Sequence, residues 1–183
     1  MASESKHEYE AGKIVPMVGG TPRHSLATAN MIFCLNLGIK TNGKDCRVFS
    51  SDAIIKSDKA NSFLYPDASV VCGDIEYGDE RKMSISNPML IVEVMSKSIL
   101  GYDRGEKFHK YATLPSFKEY ILIDPDKPLV DTLYREDASY WKMMSYIGLD
   151  KEVILHSLGF SIPMKDIYDK VDGLKEVNLA FDF

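Results

Sequence analysis

The stretch "PMLIVEVMS", Pro88 to Ser96, decides how the rest of the chain is read. From Met89 to Val94 it is apolar and β-branched at every position but one. An unbroken apolar run of this length marks a strand covered on both faces, where a half-exposed strand would alternate. Such a strand belongs in the centre of a sheet with other layers packed on either side. The exception is Glu93, because an unpaired carboxylate in that setting costs several kcal/mol. It requires a cation or a partner, and two readings are open: a buried ion pair that holds the sheet together, or a functional site.

Downstream, "YDRGEKFHKYATL" (102–114) places Tyr102, Phe108, Tyr111 and Leu114 on one face of a helix that stops at Pro115. "FKEYILIDP" (117–125) is a second buried strand, and the order strand, helix, strand predicts a right-handed crossover to a neighbouring position in the sheet. Upstream, "CRVFSSDAIIKS" (46–57) and "PDASVVC" (66–72) read as two strands, joined by a hairpin-like polar connection around "SDKANSF". "GDIEYGDERKMSISN" (73–87) reads as a long charged loop. "KIVPMVGG" (13–20) reads as a short strand and turn. A helix follows with Thr21 as N-cap and Pro22 in the first turn; Leu26, Ile32, Phe33 and Leu37 form its expected buried face, and it is expected to end near Gly38. After the second buried strand come an antiparallel hairpin, "PLVDTLYRE" with "SYWKMMSYI", then a short strand "KEVILHS" and a last helix "MKDIYDKV". The pattern is α/β with a mixed sheet. No repeat or linker interrupts it, so residues 1–183 are expected to form a single domain.

Composition narrows the function classes. With 45% hydrophobic and 27% charged residues, the chain is of globular type. The net charge of −5 argues against a general polyanion binder, although the acidity is concentrated after residue 118. No apolar run is long enough to span a bilayer, and "MASESKHEYE" is too polar for a signal peptide. A cytoplasmic location without membrane partners is therefore expected. Cys34, Cys46 and Cys72 contain no CxxC pair and are expected to be reduced, structural thiols. His7, His24, His109 and His156 show no metal-ligand spacing, which weighs against a zinc enzyme.

Asp67, Glu93, Asp103 and Lys107 are the residues with chemistry to offer. A strand pair can bring Asp67 beside Glu93. Two carboxylates about 4 Å apart repel by about 4 kcal/mol at an effective dielectric of 20. A divalent cation offsets that repulsion, and Mg2+ favours one or two carboxylates with waters and phosphate oxygens. Asp103 and Lys107 are four apart and share a helix face, with Lys110 or Tyr111 one turn further on. The pair is either ordinary surface chemistry or a device for orienting a water and stabilising charge on a phosphate.

The ordered set "YEAGKIVPMVGGTPRH", "CRVFSSD", "YPDASVVC", "NPMLIVEVMS", "YDRGEKFHKY", "EYILIDP" and "SLGFSIPMKDIYD" resembles the bacterial family of putative restriction endonucleases within the PD-(D/E)xK nuclease superfamily, over about residues 8–171. The resemblance implies a restriction-endonuclease-like fold: a mixed central β-sheet flanked by α-helices, with an additional N-terminal β region. It also implies a metal-dependent phosphodiesterase site. Its "PD" falls on Pro66 and Asp67 and its second acid on Glu93, so that Asp67 and Glu93 are the implied metal ligands. Met95 stands where the superfamily places its lysine, and Lys107 on the following helix fits a lysine that has migrated. The upstream carboxylate would be Glu10, with Glu8 as the competitor. His24 would touch a phosphate or a water, or is a surface residue at a helix start. Asp52 and Ser96 would support the site or are turn residues, and Asp103 and Arg104 would lie near the substrate.

The activity so implied is a Mg2+-dependent (or Mn2+-dependent) endonuclease acting on DNA as a homodimer, with Arg23, Lys97, Arg104 and Lys110 as a phosphate-binding patch. Its rival is a DNA-binding or partner-binding module that keeps the fold without hydrolysis, which Met95 and the net acidity favour. A two-carboxylate glycosidase is disfavoured because Trp141, the one tryptophan, lies far from both acids in sequence.

Overall fold

In the computed structural model, which describes residues 6–17, 19–95 and 103–177 and only the backbone of Asp103 and Arg104, the chain forms a mixed α/β fold. The central sheet has six strands in the order β11-β10-β9-β8-β6-β3: Trp141–Ile147, Leu129–Arg135, Glu119–Ile123, Leu90–Val94, Ala68–Cys72 and Cys46–Ser50. β8 is the strand of the opening stretch. It runs parallel to β9 and antiparallel to β6, and all five of its residues are buried. Strand alternation divides those residues between two cores. Leu90, Val92 and Val94 enter the core beneath α1 (Pro22–Thr41), whereas Ile91 and Met95 enter the core on the opposite face. Glu93 therefore points to the Ile91 side.

That side is covered by a second sheet of order β2-β1-β5-β4-β7: Lys13–Pro16, His7–Glu10, Ser62–Leu64, Ile54–Ser57 and Ser84–Ile85. It is also covered by the helix that returns the chain from β8 to β9, a π-helical turn at Asp103–Lys107 continued by α2 (Phe108–Ala112). Phe108, Tyr111 and Leu114 are buried, as the apolar spacing predicts, and Tyr102 lies outside the described residues. Trp141 belongs to the same core, with ring centroids 4.9 Å from Phe108 and 5.3 Å from Phe117. β12 (Glu152–Leu155) and β13 (Phe160–Pro163) form a separate hairpin, and α3 (Met164–Ile167) follows. Among the described residues no helix is long and apolar enough to cross a membrane.

Several expectations are corrected. The α1 start is as predicted, with the Thr21 side chain accepting from His24 N at 3.3 Å, but the buried face is Ala27, Met31, Cys34, Leu35 and Ile39. Of the expected face, Leu26 and Ile32 are partly buried against the core beneath α1, whereas Phe33 and Leu37 are 65% and 52% exposed. The helix also continues through Gly38 to Thr41. Gly38 permits close approach, since a Cβ there would collide with the Phe160 ring. "CRVFSSDAIIKS" breaks at Ser51–Asp52 into β3 and β4, which join different sheets, and "SDKANSF" closes the β4–β5 hairpin. The charged loop folds back on itself through the Tyr77–Ile85 bridge, and β7 lies parallel to β4.

The expectation of three reduced thiols also fails. Cys46 and Cys72 form a disulfide, because the β3–β6 register makes them direct cross-strand partners. Cys34 is the free cysteine; it is buried, and burial, with the Asp166 charge adding, raises its thiol to about 11.

Candidate active site

Glu93 is 4% exposed and sits near the C-terminal end of the central strand. Its partners come from the helix that follows. Lys107 Nζ is 2.9 Å from Glu93 Oε1, and Tyr111, one turn on, donates its hydroxyl to the same oxygen at 3.0 Å. The i, i+4 spacing puts both donors on one helix face. Lys107 Nζ is also 3.1 Å from Glu8 Oε1 and within 3.4 Å of the Tyr65 carbonyl. Glu8 Oε1 in turn accepts from Tyr65 N at 2.9 Å. Glu8 and Lys107 are 4% and 5% exposed, so one ammonium holds two carboxylates almost out of contact with solvent. Complete burial drives the Tyr111 hydroxyl well above its ordinary pKa, with the Glu93 charge adding, so that it remains a donor at any working pH.

Asp67 precedes β6 at the same end of the sheet. Its Oδ2 accepts from Val94 N at 2.7 Å and lies 3.3 Å from His24 Nε2. The β6–β8 register that pairs Ala68 with Val92 carries Asp67 to the end of β8, and α1 supplies His24 from its first turn. The elements thus bring together Asp67, Glu93, Lys107, Glu8, His24 and Tyr111.

Glu10 is one rung away, with its Oε2 2.7 Å from Lys110 Nζ. Period-2 alternation puts Glu8 and Glu10 on one face of β1, while Lys107 and Lys110 share the facing helix. The β1–β5 register then decides that Glu8, and not the preferred Glu10, meets Lys107. Glu10 Oε1 is buried without a hydrogen-bond partner.

Other sequence candidates lie elsewhere. The Asp52 side chain is 84% exposed and pairs with Lys6, which holds its carboxyl below the ordinary value. Ser96 and Lys97 lie outside the described residues, and nothing is described of the Asp103 and Arg104 side chains. Of the expected phosphate-binding cations, Arg23 pairs with Asp126 at 2.8 Å and Lys110 with Glu10. Tyr111 was visible in the sequence as a core residue and as one of two residues a turn beyond Lys107 on the same helix face, with no role assigned to it. Its spacing from Lys107 is the signal that identifies it as a partner of Glu93.

A second buried acid separates site from scaffold. Glu119, at the start of β9, is fully buried and accepts from His156 N and Ser157 N, each at 2.9 Å, and from the Ser157 hydroxyl at 2.6 Å. Burial raises its pKa while these donors act in the opposite direction. Backbone donors at a turn satisfy Glu119, whereas an ammonium and a phenol from a neighbouring helix satisfy Glu93.

The oxygen-only character of Glu8, Asp67 and Glu93 fits a hard divalent cation such as Mg2+, which takes few protein carboxylates and keeps waters. The fit is one of donor chemistry: among the described residues no group of three or more His, Cys, Asp or Glu is arranged to hold a metal. Lys107 supplies the cationic charge between the two glutamates.

Comparison with known proteins bears on the same architecture. Residues 1–165 match the model of the Uma2 family, described as putative restriction endonuclease. An uncharacterized protein of Synechocystis is 34% identical over 167 residues, covering 89% of this chain and 83% of its own. A second uncharacterized Synechocystis protein is 31% identical over 148 residues, covering 81% and 82%. The crystal structure of a putative nuclease belonging to DUF820 from Anabaena variabilis superposes with a TM-score of 0.69 over 92% of this chain and 93% of that one, at 19% identity. That likeness shows a shared fold. With a family model spanning nearly the whole chain and relatives above 30% identity over most of it, the chain belongs to the Uma2 putative restriction endonuclease family.

Proposed function

We propose that the protein is a Mg2+-dependent endonuclease that hydrolyses DNA phosphodiester bonds at the end of the central strand. The observation that supports this most strongly is the buried Lys107 held between Glu8 and Glu93, with Asp67 at the same end of the sheet. A buried lysine that meets carboxylates from two different sheets and the Tyr65 carbonyl is more elaborate than an ion pair needed to join two elements.

In this reading Asp67 and Glu93, with Glu8 beside them, would hold a Mg2+ ion. When bound, the ion lowers the pKa of a water and offsets charge on the phosphate. The chain's own residues do the rest. Tyr111 fixes the rotamer of Glu93 by donating to Oε1, and the backbone of Val94 fixes Asp67. Lys107 keeps its proton and donates a hydrogen bond from its ammonium, to the oxygen of the attacking water or to a phosphate oxygen, so that it orients the water and offsets charge on the phosphate. His24, whose Nε2 lies 3.3 Å from Asp67 Oδ2 and which is partly exposed at the start of α1, offers its ring to a phosphate oxygen. Cutting both strands of a duplex calls for two such sites, which a homodimer supplies.

Cleavage of plasmid DNA in Mg2+ or Mn2+ tests the proposal. Glu93→Ala and Lys107→Ala are expected to lower the rate by 100-fold or more, on the order of the loss typical of a positioned catalytic group. Full activity in Glu93→Ala would overturn the assignment. Sedimentation of the free and DNA-bound protein tests the dimer. One observation favours a module that binds DNA without cutting it: Met95, in the usual lysine position, is buried in the core and cannot serve. That reading predicts tight duplex binding with no cleavage in either metal.

A further inference from the structure

The segment from Asp74 to Asn87 is a braced hairpin, held to β4 by Lys56 Nζ donating to Gly78 O at 2.7 Å, whose tip residues 80–83 are exposed. Gly78 N donates to Ser84 O at 2.9 Å, Tyr77 bridges Ile85, and Asn87 ties down both Glu76 N and Asp74 O at 2.9 Å. At the tip, Asp79 Oδ1 accepts from Met83 N at 3.2 Å, and its Oδ2 accepts from Ser84 N at 2.8 Å and from the Ser84 hydroxyl. Lys82 takes a left-handed backbone, φ +56°, to close the turn. Glu80, Arg81, Lys82 and Met83 are exposed, the last by 68%, with Tyr77 beneath them at 45% and Lys82 Nζ 5.3 Å from the centroid of its ring. Such a tip is ordered at the cost of conformational entropy although it contributes no core.

Strand register fixes where the tip stands. β1 pairs with β5 through Tyr9 and Phe63, β5 with β4 through Leu64 and Ile55, and β4 with β7 through Ile55 and Ile85. Extending the first pairing by one residue aligns Glu8, Leu64, Ile55 and Ile85 in one row across the sheet. All four are buried on the same face. The chain enters that row at Ile85 from the hairpin tip and leaves it at Leu64 toward Asp67. The tip and Asp67 therefore project beyond the same end of the sheet. Three strand spacings separate β1 from β7, about 14 Å.

We propose that the Asp79–Met83 tip reads base edges of the duplex DNA whose backbone lies at Asp67, at the same end of the sheet. The side chains suit a groove better than a bare phosphate track. Arginine donates to guanine, a glutamate accepts from the cytosine amino group, and an apolar side chain contacts the thymine methyl. Mixed charge, with Glu80 beside Arg81 and Lys82, is what base readout uses, whereas backbone binding alone would favour cations throughout. The Asp79 carboxylate is engaged by its own turn, which leaves Arg81 and Lys82 to meet the polyanion. The inference rests on the reading of the Glu93 site as one that acts on DNA for its choice of duplex DNA as the ligand.

The test uses the full chain and a pool of DNA duplexes with a randomised centre. Binding is selected in Ca2+ and cleavage is sequenced in Mg2+, for the wild type and for the double variant Arg81→Ala with Lys82→Ala. Because both residues are exposed, the variant is expected to keep the wild-type melting curve, and Met83→Ala serves as a second variant. The expected result is a preferred sequence for the wild type, with affinity for it about tenfold weaker in the double variant and the preference flattened at the positions the tip reaches. An unchanged sequence profile and affinity in the variants would overturn the inference even if both proteins cut DNA. Failure of the wild type to bind duplex DNA, or equal binding of RNA duplexes, would also overturn it. Tip-dependent sequence preference without cleavage in Mg2+ or Mn2+ would uphold the inference while removing the nuclease reading.

Discussion

Lys107 makes the site sensitive to single atoms, because its ammonium is the countercharge for both Glu8 and Glu93. Removing one partner of a buried ionic group leaves the other charge without compensation, at a cost of about 3–5 kcal/mol. Lys107→Met is therefore expected to lose stability of that order in urea unfolding, and Mg2+ is expected to restore part of it by taking the vacated cationic place between the carboxylates. No effect of Mg2+ on that variant would count against metal binding there, whatever the activity. Tyr111→Phe keeps the ring and loses only the hydroxyl that donates to Glu93. It is expected to cost about 1–2 kcal/mol and to lower cleavage chiefly through kcat, a split that simple loss of packing would not produce. Glu93 itself was legible, since a carboxylate in an apolar strand needs an explanation. The choice between Glu8 and Glu10 was not, because two residues on the same strand face differ only in which rung of the ladder they occupy.

At the level of elements, the same argument from burial flags β9 as readily as β8. Glu119 is as buried as Glu93, yet its carboxylate closes the turn between β12 and β13 by accepting from His156 and Ser157. Its pKa is raised by burial, so the folded chain binds its proton more tightly than the unfolded chain does. The stability it contributes is complete below the ordinary carboxylate value and falls as pH rises through the higher folded value. Against Glu119→Gln, which does not titrate there, the wild type should lose relative stability across that interval and then level off. Urea midpoints measured at several pH values check the sign. Helix α1 illustrates the complementary failure. Its start was readable from Thr21 and Pro22, but its buried face only in part: Leu26 and Ile32 pack on the core while Phe33 and Leu37 face out, because large side chains at helical spacing occur on both faces and only the sheet beneath selects one. The charged 73–87 segment read as a loop because its hairpin is held by Asp79, Asn87 and backbone pairing, none of which leaves an apolar period.

Across the whole molecule, one covalent bond joins the edge of the central sheet to its interior. The Cys46–Cys72 bridge ties β3 to β6 across 26 residues, and loop-closure entropy for that separation is worth about 3 kcal/mol. Reduction, or Cys46→Ser, is expected to lower the unfolding free energy by about that amount. Since the disulfide and Asp67 lie at opposite ends of β6, DNA cleavage at low temperature should change little. The bridge also shows where local reading ends. Cysteine spacing holds no information on pairing, which arises only when two strands meet in register.

The sequence alone determined the central buried strand, the parallel partner reached through a helix, the long hairpin after it, and Asp67, Glu93 and Lys107 as residues with chemistry. Each of these depends on periodicity or on a residue type that conflicts with its surroundings, and both are local properties. Tertiary structure alone decided the second sheet, the disulfide, the pairing of Glu8 with Lys107, the hydrogen bond from Tyr111 to Glu93 and the position of the 79–83 tip. Those depend on strand register and on which faces of distant elements meet, and the free energy that settles them exists only once the chain has closed on itself.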